Sequence, residues 1–168
     1  MALKPIDPNS LEINPFTSIG TDWMLLTAGN KEKHNTMTVS WGGLGVLWRK
    51  NVTYVFVRPQ RYTMEFMDKE EYYSLCLFDK SYKSALSLCG SKSGRDINKD
   101  KETGLTVMFD QPAPYYAQAK MVFICKKMAK QAIDPHSFID INIDQTFYPQ
   151  QDYHRVFAGD IITILKDQ

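Results

Sequence analysis

The stretch NTMTVSWGGLGVLWRKNVTYVFVRPQRYT, residues 35–63, decides how the rest of the chain is read. Within residues 35–41, Thr36, Thr38 and Ser40 fall on one face and Met37, Val39 and Trp41 on the other, the alternation of a half-buried strand. Gly42, Gly43 and Gly45 then remove side chains, so that the chain can turn and a flat ligand could approach its backbone. Residues 52–57 are rich in β-branched and aromatic side chains and read as a second strand. It ends at Arg58-Pro59, where proline cannot donate to a ladder and turns the chain. Gln60, Arg61, Tyr62 and Thr63 follow, and residues 63–66 read as the first turn of a helix capped by Thr63.

Arg58 and Arg61, beside a threonine hydroxyl and the free amides of a helix start, suit a terminal phosphate dianion. Guanidinium forks offer bidentate hydrogen bonds, and a helix end offers positive potential. The same residues also suit a plainer role, surface charges flanking a turn, and spacing alone leaves both readings open.

The 168 residues suit one domain with a real core. Lys and Arg total 20 against 19 Asp and Glu, a net charge of +1, so no general attraction to nucleic acid or an anionic membrane is indicated and any positive site is local. Cys76, Cys89 and Cys125 are odd in number and widely spaced, which fits neither a disulfide framework nor a Cys-x-x-Cys motif. They read as small apolar residues in a reducing compartment. The opening MALKPIDPNS lacks an apolar signal core, and no apolar run reaches membrane-spanning length, so a soluble cytoplasmic protein is expected.

Residues 2–18, with Pro5, Pro8 and Pro15, are expected to form an irregular arm or a frayed terminus. Residues 23–28 and 72–78 read as strands, residues 63–69 as a short helix, and residues 81–88 as a helix stopped by Gly90. Residues 105–109 and 156–165 read as further strands. Residues 121–133 fit both a helical face and a buried strand. Residues 134–136 read as a turn, and residues 137–139 as a helical turn. His34 is expected in solvent, and His154 at the core edge, satisfied by a backbone carbonyl. The segment GSKSGRD, residues 90–96, is glycine-rich, hydroxyl-bearing and basic: a solvated loop or a phosphate wall.

Three motifs in order, NTMTVSW, VRPQRYT and CGSKSGRDINK, resemble the flavin reductase-like family of FMN-binding split barrels, which includes flavoredoxin-type proteins. The likeness spans residues 22–105 well and the rest more loosely. It implies a mainly β fold, an antiparallel, Greek-key-like split β-barrel of roughly six or more strands with a few short helices. It also decides residues 121–133 as a strand and makes the 90–96 loop the second wall of a flavin site.

The implied cofactor is FMN. The resemblance assigns the polar edge of the ring to Asn35, Thr36, Met37, Thr38, Val39, Ser40 and Trp41, through backbone groups and the hydroxyls of Thr36, Thr38 and Ser40. It assigns the phosphate and ribityl end to Arg58, Gln60, Arg61, Tyr62 and Thr63, with Cys89, Gly90, Ser93, Gly94, Arg95 and Asp96 closing over it. Asp96 and Lys99 are expected to hold the loop's shape as much as to touch ligand. No side chain is assigned a catalytic role and no metal site is expected, because flavin itself carries the redox chemistry.

The implied activity is NAD(P)H-dependent flavin reduction, with a small-molecule or protein electron acceptor and a homodimeric assembly. The chain carries no Rossmann fingerprint, so the nicotinamide would be a transient visitor. An electron-transfer protein or flavin carrier without nicotinamide turnover is the alternative. A flavin-free module holding single-stranded nucleic acid through Arg58, Arg61, Lys92 and Arg95 with Tyr62 and Trp48 is disfavoured by the near-neutral charge.

Overall fold

The computed structural model describes residues 3–167. Its elements run β1 (Leu3–Ile6), α1 (Pro15–Gly20), β2 (Met24–Gly29), β3 (His34–Val39), β4 (Gly42–Leu47), β5 (Lys50–Val57) and α2 (Thr63–Lys69). The second half continues with β6 (Tyr72–Leu77), α3 (Lys83–Ser91), α4 (Lys99–Thr103), β7 (Val107–Met108), β8 (Tyr115–Tyr116), β9 (Met121–Ala132), α5 (Ile141–Phe147) and β10 (Arg155–Asp167). Eight strands form one sheet in the order β3-β2-β6-β9-β10-β5-β4, with β1 joined to β10, while β7 and β8 make a separate ribbon. Every pairing is antiparallel. The end strands β3 and β4 do not pair with each other, so the sheet curls into a split rather than a closed barrel. This is the mainly β architecture that the resemblance implies.

Two apolar cores lie on opposite faces of the central strands. Met24, Leu26 and Ala28 of β2, Leu75 of β6 and Phe123 of β9 fill the barrel interior. Leu25, Cys76, Val122 and Ile124, from the same strands, pack outward against Leu86 and Cys89 of α3 and Tyr115 and Tyr116 of β8. A strand buried on both faces loses its alternation. Met121–Cys125 are buried without a break, which is why this start of the 121–133 run read as helix or strand until the resemblance chose, and β9 runs through nearly all of it.

β10 makes the split barrel possible. It pairs with β5 from Arg155 to Asp160 and with β1 from Ile164 to Asp167, and its register with β9 shifts between Ala158 and Gly159 and again between Ile161 and Thr163. Such irregularities bend a strand and strengthen its twist. The N-terminal expectation is corrected here: residues 3–6 are the strand β1 on β10, and α1 follows, capped by the Asn14 carboxamide. The glycine run is also corrected. Gly42, Gly43 and Gly45 lie in β4, and the hairpin turn comes later, at Trp48 and Arg49, both with positive φ. That conformation matches the twist of the flanking strands. The expected strand at 105–109 shortens to β7, and α5 was not foreseen.

Gly159 leaves room for Tyr73, a fully buried ring whose hydroxyl lies 2.5 Å from Thr53 Oγ1. A Cβ at this position would enter the space of the Tyr73 phenol. Gly159→Ala is therefore expected to destabilise the fold by about 1–3 kcal/mol, the range for overpacking, as read from the urea midpoint.

Candidate functional site

β3 is an end strand of the sheet, so one edge of its backbone faces away from any neighbour in the ladder. Lys99 Nζ reaches this edge and donates to the Thr36 carbonyl at 2.7 Å. A residue's N–H and C=O point to the same side of a strand, and the side alternates along the chain. The peptide groups of Thr36 and Thr38 therefore share the free edge, where a ligand could reach them. Their hydroxyls behave otherwise. Thr36 Oγ1 accepts from Thr27 Oγ1 at 2.9 Å and donates to the Leu26 carbonyl at 3.2 Å, and Thr38 Oγ1 donates to the Leu86 carbonyl of α3. The expectation that these hydroxyls face a ring is corrected: they fasten β3 to β2 and to α3.

The corner between β5 and α2 follows the quoted motif with two changes. Thr63 is the first residue of α2 rather than its cap, and its Oγ1 accepts from Asn35 Nδ2 at 2.8 Å. The amides of Met64 and Glu65 already donate to the carbonyls of Arg61 and Tyr62, so they are not free for an anion. Arg61 is half-buried and donates from Nη1 to the Gly90 carbonyl at 2.8 Å. Burial lowers its pKa from the usual arginine range. Arg58 turns elsewhere: it pairs with Asp152 and donates to the Phe147 carbonyl at 2.9 Å.

The glycine-rich segment closes one side. α3 continues through Gly90 to Ser91, past the expected stop, and the loop then crosses to Lys99 at the start of α4. Lys99 Nζ also donates to the Cys89 carbonyl at 2.8 Å. Burial, set against the nearby Cys89 and aided by the Arg61 charge, lowers its pKa to about 8. A Cβ on Gly94 would collide with the Asn35 carboxamide and crowd the Tyr62 ring, so only glycine lets the loop lie this close. Ser93 Oγ accepts from the Arg95 amide at 3.2 Å, and the Asp96 amide donates to the Ser93 carbonyl at 3.1 Å. Arg95 pairs with Glu65 while its guanidinium stacks 4.5 Å from the Tyr62 ring centre. The structure does not bring the Cys89 thiol to the site: it is fully buried in the outer core, and burial raises its pKa to about 11.

These elements enclose a groove in two parts that share Met37 and Arg61. The smaller hollow, about 130 Å³, is lined by Asn35, Gln60, Arg61, Tyr62, Thr63, Ser91, Lys92, Ser93, Gly94 and Lys99 as well as Met37. The other, about 190 Å³, is lined by Met37, Thr38, Val39, Ser40, Trp41, Phe56, Arg58, Arg61 and His154. Arg95 and Asp96 instead line a neighbouring hollow of about 390 Å³ with His34 and Asp100. His34 is thus not the solvated residue expected, since its Nε2 lies 2.8 Å from Asp100 Oδ2.

No protein-family model matches the sequence, and no curated protein matches it. Solved structures do. An FMN-binding domain of a flavin reductases-like enzyme from Shewanella baltica OS155 superposes with a TM-score of 0.68 at 15% identity, covering 99% of this chain and 78% of that one. A flavoredoxin from Methanosarcina acetivorans gives 0.67 at 21% identity, covering 99% and 77%. An NADH:FAD oxidoreductase of Streptomyces globisporus, solved with NAD and FAD fragments, gives 0.64 at 13% identity, covering 88% and 75%. The chain has the split-barrel fold of these flavoproteins.

In this split barrel, the aromatic end of the groove holds groups that no motif brought together. Phe56 and His154 line it beside Trp41, and the Trp41 and His154 ring centres lie 5.0 Å apart. Phe56 sat unremarked in the β5 run because an outward aromatic on a strand carries no distinctive sequence signal. His154 is buried and bonded through Nδ1 to the Tyr148 hydroxyl at 2.8 Å, a side-chain partner in place of the expected backbone carbonyl. Burial, and then the Arg58 charge, lowers its pKa to about 4.

An unfolded histidine titrates near 6.5, so in this window the unfolded chain binds more protons and stability falls as pH drops from about 6.5 toward 4. Between pH 7 and pH 5 the native protein is expected to lose about 1–2 kcal/mol more than His154→Asn does, as measured by urea midpoints at both pH values.

Proposed function

We propose that the chain is an FMN-binding flavoprotein that works as an NAD(P)H-dependent flavin oxidoreductase, passing electrons from a nicotinamide through flavin to a small-molecule or protein acceptor. The supporting observation is the polarity of the groove on this fold. One hollow gathers Arg61 and Lys99, whose hydrogen-bond partners are neutral carbonyls rather than carboxylates, and the other gathers Trp41, Phe56 and His154. A phosphate dianion suits the first and a flat ring the second.

The donor set fits a phosphate. Arg61 spends one N–H on Gly90, and its fork carries others; Lys99 spends two of its three ammonium hydrogens on carbonyls. Ser93 and Lys92 line the same hollow. In this reading Arg61, Lys99, Ser93 and Thr63 hold the phosphate, Gln60 and Tyr62 flank the ribityl chain, and the free edge of β3 with Met37, Ser40 and Trp41 meets the ring. When bound, FMN supplies the redox chemistry. The chain's own residues bind it, orient it and exclude water.

The nicotinamide step draws support from neighbours of the same fold such as the Streptomyces oxidoreductase. The alternative, an electron-transfer protein of flavoredoxin type, is favoured by Ile139, Ile141 and Ile143, exposed close together in the 134–153 segment, a surface suited to a protein donor. Rapid bleaching of bound flavin by NADH or NADPH supports the first reading, and bleaching only by a protein donor supports the second. A homodimer belongs to the same proposal. Val46 and Trp48 stand exposed at the β4–β5 hairpin, and Trp48 borders an apolar hollow of about 620 Å³ lined also by Leu47, Tyr54, Ile133 and Val156. A second copy would bury such a surface.

The purified protein is expected to show flavin absorption bands, at the latest after FMN titration. Arg61→Ala is expected to weaken FMN by about 1.5–3 kcal/mol, the range for charge-assisted hydrogen bonds. Riboflavin, which lacks the phosphate, should bind weakly and change little. Arg155→Ala, whose guanidinium pairs with Asp68 outside the groove, is the control and should leave both affinities alone. Equal losses for FMN and riboflavin would show that Arg61 does not read the phosphate.

A further inference from the structure

Arg58 and Arg61 stand three positions apart in the sequence motif but serve different partners. Arg61 borders both hollows, whereas Arg58 lines only the aromatic one and carries its charge to residues 147–152. These residues belong to the segment 134–153, which leaves the barrel after β9 and returns at β10.

The apolar packing within this segment, among the described residues, is a small cluster of Phe138, Tyr148 and Tyr153, in which Tyr148 is buried and bonds His154 Nδ1 through its hydroxyl. α5 buries none of its residues, and Ile139, Ile141 and Ile143 are exposed. What joins it to the β5–α2 corner is mainly polar. Asp152 receives the Arg58 ion pair and a hydrogen bond from Gln60 Nε2 at 2.6 Å, so one carboxylate gathers two side chains of the β5–α2 corner. Arg58 Nη2 donates to the Phe147 carbonyl at 2.9 Å, and its guanidinium lies 5.3 Å from the Tyr148 ring centre. So held, the Phe147 ring stands edge-on to Trp41, with ring centres 5.4 Å apart.

We infer that Arg58, Gln60 and Asp152 form a latch that seats the 134–153 segment over the aromatic end of the groove, with Phe147 as its inner face. Arg58 is then a positioning residue that governs access to the bound ring, not a ligand of its phosphate. Apart from the Tyr148 ring the segment leaves its apolar side chains largely exposed, and a few polar bonds near its C-terminal end join it to the β5–α2 corner, which is the construction of an element that opens at low cost. The latch stands on the contacts of this chain alone. Its role in access to a ring rests on the FMN reading above.

The test uses the full chain with Arg58→Ala, Asp152→Ala and the double variant. Without flavin, amide hydrogen exchange across residues 138–151 is expected to quicken about fivefold or more in each single variant while β2 stays unchanged. The double variant should exchange no faster than the quicker single one, since both substitutions open the same latch. With FMN bound, iodide should quench the flavin fluorescence more strongly in the variants, by about twofold, and the ratio of FMN to riboflavin affinity should stay native. Unchanged exchange in 138–151 overturns the latch. A selective loss of FMN over riboflavin in Arg58→Ala overturns the positioning role and returns Arg58 to the phosphate. Should the native protein bind no flavin, the FMN reading falls while the exchange measurement still decides the latch.

Discussion

Lys99 Nζ donates at 2.7 Å to the Thr36 carbonyl and at 2.8 Å to the Cys89 carbonyl, and this pair of bonds is the constraint on which the groove depends. It ties the unpaired edge of β3 to the last turns of α3 and fixes where α4 begins. The loop between α3 and α4 must then cross the mouth of the groove, with Gly94 pressed against Asn35 and Tyr62. Burying an ammonium group is costly, and two carbonyl acceptors offset that cost without neutralising the charge. The depressed pKa, about 8, reflects the same balance.

The electrostatics of the groove come from charge placement and not from charge number. With a net charge of only +1, the chain as a whole offers an anion little. Around the groove, Arg58 and Arg95 are matched by Asp152 and Glu65, so their fields are largely cancelled at short range. Arg61 and Lys99 are bonded to carbonyls, which orient a cation but leave its charge in place. Positive potential therefore collects in the hollow that these two share. The same pairings spend two of the four cations that a nucleic-acid surface would have needed.

The sheet supplies the rigidity against which these contacts are set. β2, β6 and the first half of β9, Met121–Cys125, are packed on both faces, by the barrel interior and by the layer of α3 and β8. β3 stands at the sheet's end, yet its Thr36 and Thr38 hydroxyls are anchored to β2 and α3, so the strand is held firmly while its backbone edge lies outside the ladder. The 134–153 segment contrasts with this framework, being seated by one buried ring, Tyr148, and polar contacts near its end while its isoleucines face solvent.

Much of this was legible in residue order. The alternation in β3, the β-branched run of β5, the proline that ends it and the short helix after it are local features, and local sterics set them without help from the rest of the chain. The order of the three motifs carried the split barrel, and with it the strand at residues 121–133 that periodicity could not decide. Other features needed tertiary structure. Whether Thr36 and Thr38 offer hydroxyls or backbone depends on α3 lying against β3, and whether Arg58 meets a phosphate or Asp152 depends on a residue far along the chain. His154, Phe56 and Trp41 converge because β10 and β4 both pair with β5, and their separation in sequence hides it. The sequence by itself determined the strands, the turns and the kinds of group present, because those follow from each residue and its immediate neighbours. Which donors stay free for a ligand was decided by the tertiary structure alone, because a hydrogen bond or ion pair made across the fold spends them.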